Sequence, residues 1–576
     1  MASIPAAAQS MVAHAETLCE REDHLWDVVG ELSIPVDLLS DDRQQSKVTF
    51  QTEEMTRAFL YQHVRGFSEN ELADQLSKRT VLCHRFGFEI DDLSKAPRQQ
   101  TINAIWKQFE KSQTAIEATA TGIRQLAVEH DVIAESLVPT EPQPETLDDD
   151  GTPDQEYKKE KATKTIRLAR KHVLPEFDTK RAPHRDYSDE ELLDMFARIC
   201  ATNGSAHSES EYGWLTEDDV TCDDSTFLRA LKKIATPEEM DAQLTLSDFG
   251  DDEMPTVDLI RDEVMKAFDG ATENVLSSLR GQDLFDQNRR TVAAIDITYE
   301  QIHVWPWEDK AEGIPNPDFP VMASGYKKDN EYKRGYKYAT ITLVGDHAPI
   351  ILGIEPVKEN SKWEPDDAPS YSKAELVERL LDKAQRFVDL DEVLLDRGFY
   401  SNAVYAAIHD RGITYTSPVP KYQDDYSIIE DIEEHPTAEA AVNHDVPFGY
   451  GGEVHHTAEF LYVPTESDDV DGKYAVFVTN RNRVEPEEIE QVCNRYRRRW
   501  DIENQYKSIK SFLPKTSSMD YRIRFVKFAL AALIYNLWRL TDYLIKAAID
   551  KDVRSPPVIT AKTFVRALGD FLRDIG

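Results

Sequence analysis

The chain has 576 residues, enough for several domains, and a hydrophobic content of 40% places it with globular rather than disordered proteins. Its longest strongly apolar stretch, Phe528 to Tyr535, is too short to span a bilayer, and its five cysteines contain no CxxC pair, so neither a disulfide framework nor a thiolate zinc site is indicated. A formal net charge of −39 argues against a surface that attracts nucleic acid throughout.

The N-terminus, Met1 to Glu20, has no cationic start before its alanines and does not resemble a secretory signal, so a cytoplasmic protein is expected. Residues 1–138 read as a helical domain, with apolar positions at helical spacing in Met55–Val64, Glu69–Leu76 and Thr101–Phe109. Between the first two, the turn Arg65-Gly66-Phe67-Ser68 ends one helix, and Ser68 with Glu71 forms a capping box for the next. A helix, a glycine turn and a helix are compatible with DNA binding, and equally with the ordinary folding of any helical domain. Residues 139–156 (PTEPQPETLDDDGTPDQE) read as an acidic, proline-rich linker. The stretch 157–289 begins with a basic segment, Tyr157–Arg185, which has ten Lys and Arg against three Asp and Glu. Helices follow, with acidic loops at Glu217–Asp224 and Asp248–Glu253.

At Arg290 the pattern changes. Thr291–Thr298, Tyr338–Val344 and Pro349–Ile354 read as strands, the last two joined by a turn at Gly345-Asp346. Ser372–Val388 reads as an amphipathic helix with Ser372 and Glu375 as its capping box. Glu392–Leu395 is a buried strand, Asn402–Asp410 a helix and Ile413–Ser417 a further strand. The order β-β-β-α-β-α-β predicts a mixed α/β sheet within a catalytic domain spanning 290–576. Residues from about 418 to 480 read as a β-rich insertion, with Glu453–Val463 and Lys473–Thr479 as its strands. Arg495–Lys527 is a second concentration of cations, again ten against three. Local basic patches on a globally acidic chain suit a protein that meets DNA in a high-salt cytoplasm, as in a halophile.

Three carboxylates stand out. Asp296 interrupts an apolar strand, and Asp396 directly follows another; a charge at such a place must cap, pair or bind a metal. Glu503 lies on a predicted helix where Tyr496, Arg499, Glu503 and Lys510 fall within a stripe about 60° wide at 100° per residue. A carboxylate can hold a divalent metal, and neighbouring cations can hold phosphates. The plainer reading of the stripe is a solvated helix with i,i+4 ion pairs.

This ordering resembles the DDE transposases. Residues 494–510 are similar to an insertion-sequence subgroup with the signature Y-(2)-R-(3)-E-(6)-K, whose spacings Tyr496, Arg499, Glu503 and Lys510 all satisfy. Asp296 in AAIDIT looks like the family's first aspartate and Asp396 in LLDRGFYS like its second. The β-rich insertion lies where the subgroup places one. The resemblance covers roughly residues 286–545, and Met55–Phe109 is similar to the family's N-terminal helical region. It implies a ribonuclease H-like catalytic domain in which Asp296, Asp396 and Glu503 hold two Mg²⁺ or Mn²⁺ ions. It also implies cleavage and strand transfer of double-stranded DNA by a homodimer or larger synaptic complex, nucleoid-associated when bound. Arg499 and Lys510 would clamp phosphates, and Tyr496 would donate to a phosphate oxygen.

Some members stack a flipped base on a tryptophan of the insertion. No Trp occurs here between Trp363 and Trp500, which leaves Phe448, Tyr450, Phe460 or Tyr462 for that role. Trp500 reads as core, and His455-His456 as surface. Two other readings keep the carboxylates: a ribonuclease H-like nuclease without strand transfer, and a DNA-binding derivative that has lost catalysis. No His is followed by Arg at the H-x-x-R spacing of a tyrosine recombinase, and there is no P-loop or G-x-S-x-G elbow.

Overall fold

In a computed structural model, the described residues are 6–22, 24–41, 43, 48–78, 80–88, 95–130, 132–133, 155–181, 186–216, 221–237, 256–277, 290–304, 308–309, 314–315, 320–328, 331–359, 370–435, 440–450, 453–465, 473–549 and 551–575. The chain divides into two compact units, Met1–Ser136 and Leu137–Gly576.

The first unit is helical: α1 (Ala6–Cys19), α2 (Leu25–Glu31), α3 (Thr52–Arg65), α4 (Glu69–Lys78), α5 (Thr80–Phe86), α6 (Gln99–Gln108) and α7 (Gln113–Glu129). Apolar stripes at helical spacing bury Phe59, Leu72, Phe86, Ile102, Phe109 and Ile116 in one core. Gly66 ends α3 in the left-handed region at φ +69°, which a glycine adopts without a side-chain clash. The predicted capping box forms: Ser68 N donates to Glu71 Oε2 at 2.7 Å, and Glu71 N to Ser68 Oγ at 3.3 Å.

The second unit opens with α8 (Gln155–Leu168), α9 (Asp189–Thr202), α10 (Ala206–Thr216), α11 (Asp224–Ile234) and α12 (Val257–Ser277). Apart from Gln155 and Glu156, which start α8, the predicted linker lies outside the described residues, as do the acidic run 248–253 and the first four residues of the run 217–224. A mixed sheet of nine strands follows: β1 (Val292–Ile302), β2 (Ser324–Lys328), β3 (Glu331–Val344), β4 (Ile351–Pro356), β5 (Glu392–Leu395), β6 (Thr414–Pro418), β7 (Ala441–Tyr450), β8 (Glu453–Pro464) and β9 (Tyr474–Thr479). Their order is β2-β3-β1-β5-β6-β9-β8-β7, with β4 also on β3. The β3–β4 hairpin turns at Gly345, φ +87°.

Between the strands lie α13 (Lys373–Ala384), α14 (Asn402–His409) and α15 (Gln423–Glu434). The box predicted for α13 forms, with Glu375 N donating to Ser372 Oγ at 3.1 Å and Ser372 N to Glu375 Oε2 at 2.8 Å. Strands do occupy the region read as a β-rich insertion, but not as a separate body. β9 pairs with β6, and β8 and β7 follow, so they extend the central sheet.

The chain closes with α16 (Ile489–Tyr496), a 3-10 turn (Arg497–Arg499), α17 (Trp500–Phe512), α18 (Tyr521–Ala548) and α19 (Ala561–Ile575). The buried α18 is tied to β4 by Asn536, whose amide accepts from Ile351 N at 2.8 Å and donates to Ile351 O at 3.0 Å. Among the described residues no helix is long and apolar enough to cross a membrane. Cys19, Cys83, Cys200 and Cys222 are buried.

Candidate catalytic site

The apolar start of β1 pairs in parallel with the short β5, from Val292 with Glu392 to Ile295 with Leu395. Asp296 is the next residue along β1, which runs on to Ile302, and Asp396 directly follows β5, so the register sets the two carboxylates side by side where β5 ends. Asp296 Oδ1 accepts from Ile297 N at 2.7 Å. Asp396 caps the following 3-10 turn by accepting from Arg397 N at 2.7 Å.

Glu503 arrives from the helical side. α17 lies over β1 and β3 because its apolar face joins the core of Val292, Ala294, Val344 and Leu394 through Ile502 and Tyr506. Two buried polar groups fix it there. Tyr506 Oη donates to the Asp296 carbonyl at 2.7 Å and lies 2.8 Å from Thr340 Oγ1, while Gln505 Nε2 donates to Thr340 Oγ1 at 3.2 Å. Sequence reasoning missed both residues, although Tyr506 lies one helical turn beyond Glu503.

Arg499 joins the two sides. Its Nη1 is 3.3 Å from Asp296 Oδ2, and its Nη2 donates to Glu503 Oε1 at 2.6 Å. The guanidinium also lies over the Tyr496 ring, 5.8 Å from its centre. Burial opposes its charge, but Tyr496, Asp396, Asp296 and Glu503 together hold its pKa above the ordinary value. Burial, opposed by the Ile297 amide and Arg499 and aided by Asp396 and Glu503, pushes Asp296 up to about 6. Tyr496 is raised mainly by burial and packs edge-on against Phe477 at 5.0 Å.

The structure thus brings Asp296, Asp396, Glu503, Arg499 and Tyr496 together. The expected stripe is not one continuous α-helix, since the 3-10 turn separates Tyr496 from Glu503. Arg499 faces carboxylates rather than open solvent, so its expected place on a phosphate requires it to leave them. Lys510 is exposed near the far end of α17.

Other expectations change. Trp500, read as core, is 57% exposed, with Lys507 Nζ 5.8 Å from its ring. His456, read as surface, is buried: its Nε2 lies 2.9 Å from Tyr415 Oη and its ring stacks on His409. Phe448, Phe460 and Tyr462 are buried in the extended sheet, which leaves them no face for a base. Nor do the basic segments form uniformly basic surfaces. In the first, Arg170 pairs with Glu190, Lys180 with Glu263 and Arg181 with Asp189. In the second, Arg498 pairs with Asp346, Arg522 with Asp520, and Arg524 and Lys527 with Glu300. The solvent-facing cations of this second segment are Arg497, Lys507, Lys510 and Lys515.

As the side chains stand, no group of three or more His, Cys, Asp or Glu among the described residues is arranged to hold a metal. The donor chemistry nevertheless fits a hard divalent ion: three carboxylates act on Arg499, and that cation already lies between two of them.

No curated protein matches the sequence. Among solved structures, the chain is similar to one described as a piggyBac transposase synaptic complex with hairpin DNA, at 10% identity over 71% of this chain and 80% of that one, with a TM-score of 0.44. Residues 320–537 match the family model described as the transposase DDE domain, a span that holds Asp396, Tyr496, Arg499, Glu503 and Lys510 and begins after Asp296. This match supports a DDE transposase.

Proposed function

We propose that the chain is a DNA transposase that cleaves insertion-sequence ends and joins them to target DNA, with Asp296, Asp396 and Glu503 as its catalytic carboxylates on a ribonuclease H-like sheet. The observation that carries this is the adjacent placement of Asp296, within β1, and Asp396, just after the parallel β5, with Glu503 linked to Asp296 through Arg499.

Asp296, Asp396 and Glu503 would hold two Mg²⁺ or Mn²⁺ ions, which lower the pKa of an attacking water or DNA 3′-hydroxyl and stabilise the leaving oxygen. The chain's own contribution is positioning. Tyr506 holds the Asp296 backbone, and the Arg397 amide orients the Asp396 carboxylate. Arg499 balances two carboxylates and, when DNA arrives, is the group placed to turn to the phosphate beside the cut. Lys510 extends the cationic track along α17, and Tyr496 supports Arg499 from below. Double-stranded DNA is the partner, and holding two element ends at once calls for a homodimer or larger synapse.

The test is a strand-transfer assay with Mg²⁺ and DNA carrying the inverted repeats that flank the gene. Joined products support the proposal. Hydrolysis without joining points to a nuclease, and binding without cleavage to a derivative that has lost catalysis.

A further inference from the structure

At the opposite end of β5 from Asp396 lies a second charged cluster that the chemistry above does not use. Glu392, the first residue of β5, is fully buried. Its Oε1 accepts from Thr416 Oγ1 on β6 at 2.8 Å. Its Oε2 is 2.7 Å from Arg481 Nη2, 3.4 Å from Arg290 Nε and 3.6 Å from Arg495 Nη1. These arginines come from three places: just before β1, just after β9, and α16. One carboxylate therefore gathers the strand that leads to Asp296, the strand that precedes Asp396, and the helix that leads to Arg499 and Glu503.

Three guanidiniums on one carboxylate exceed what charge neutrality requires. Burial and mutual repulsion lower the pKa of Arg290 and Arg495, and Glu392 opposes this. Without its charge the three cations would face one another. The cluster lies about 13 Å from Asp396 along four strand residues, too far to touch a reacting phosphate. Yet Arg495 is one helical turn before Arg499, which contacts Asp296, and two turns before Glu503.

We propose that Glu392 is a positioning residue: by holding Arg495 it fixes the rotation and register of the Tyr496–Glu503 segment against the strands carrying Asp296 and Asp396. The activity readout rests on the transposase reading; the placement of the segment does not.

The test compares E392Q, R495Q, E392Q/R495Q and R481Q, all assayed well below their unfolding transitions. E392Q and R495Q are expected to lower kcat for strand cleavage by tenfold or more with KM for DNA unchanged, and the double variant to lose no more than either single one. R495K should recover part of the loss. R481Q removes a partner of the same carboxylate that lies outside the α16–α17 segment, and should stay within twofold of the wild-type kcat. Hydrogen exchange gives a readout independent of activity: amides 495–503 should exchange faster in E392Q and R495Q than in R481Q. Wild-type kcat in E392Q would overturn the proposal. So would equal losses in E392Q and R481Q, which would mark the cluster as stabilising only. If the wild-type protein cleaves no DNA, the transposase reading fails; unchanged exchange over 495–503 would then refute the positioning role by itself, and faster exchange would uphold it.

Discussion

Replacing Arg499 by Gln removes the cation that Asp296 and Glu503 share, at contacts of 3.3 and 2.6 Å. At an effective dielectric of about 20, a unit pair about 4 Å apart is worth about 4 kcal/mol, and removing one partner of a buried pair costs about 3–5 kcal/mol. The Glu503 side chain is 31% exposed, so solvent screens part of its share. Roughly 3 kcal/mol is the expected loss of stability in EDTA. Mg²⁺ should then narrow the difference between the two proteins. An ion at about a hundred times its Kd adds about 2.7 kcal/mol. In R499Q this gain should be larger than in the wild type, where Arg499 must first leave the carboxylates. Urea unfolding of both proteins, with EDTA and with Mg²⁺, measures the four stabilities. Equal stability of the two proteins in EDTA, or an equal gain from Mg²⁺, would refute the shared-cation reasoning.

Asp296 is raised to about 6 from an ordinary value of 3.8, so the folded state favours its neutral form. Stability from this group is fully present below the unfolded value and is lost as pH rises through about 6, an upper bound of about 3 kcal/mol. Asp296→Asn should therefore be more stable than the wild type at pH 8 in EDTA and flatter between pH 4 and 6; an unchanged pH profile would contradict the burial argument. Lys510→Ala should weaken DNA binding and reduce the slope of log K against log salt by about 0.9, and an unchanged slope would remove Lys510 from the phosphate contacts. If the net charge of −39 is a high-salt adaptation, dialysis into low salt should unfold the protein, as circular dichroism would show; full stability there counts against it.

Much of the sheet was legible because its central strands are apolar runs bounded by turns. β1, β5 and the α13 capping box all follow from local chemistry. What failed was non-local or locally disguised. β7 (AVNHDVPFGY) contains a proline, polar residues and Asp445 at φ +55°, features that an edge strand with pairing irregularities tolerates and a sequence reader discounts. α15 (QDDYSIIEDIEE) is so acidic that its helix went unread within the region taken as a β-rich insertion. The neighbouring placement of Asp296 and Asp396 was expected only through the family resemblance, because the parallel register between segments a hundred residues apart is not encoded in composition or spacing. The basic segments misled because their acidic partners, such as Glu263, Glu300 and Glu392, lie far away in sequence.

The most direct test uses Asp296→Asn, Asp396→Asn and Glu503→Gln, each assayed in Mg²⁺ for strand cleavage, strand transfer and DNA binding. All three should bind DNA with near wild-type affinity while neither cleaving nor joining it. Near-normal joining by any one of them would remove that residue from the catalytic set and contradict the three-carboxylate site.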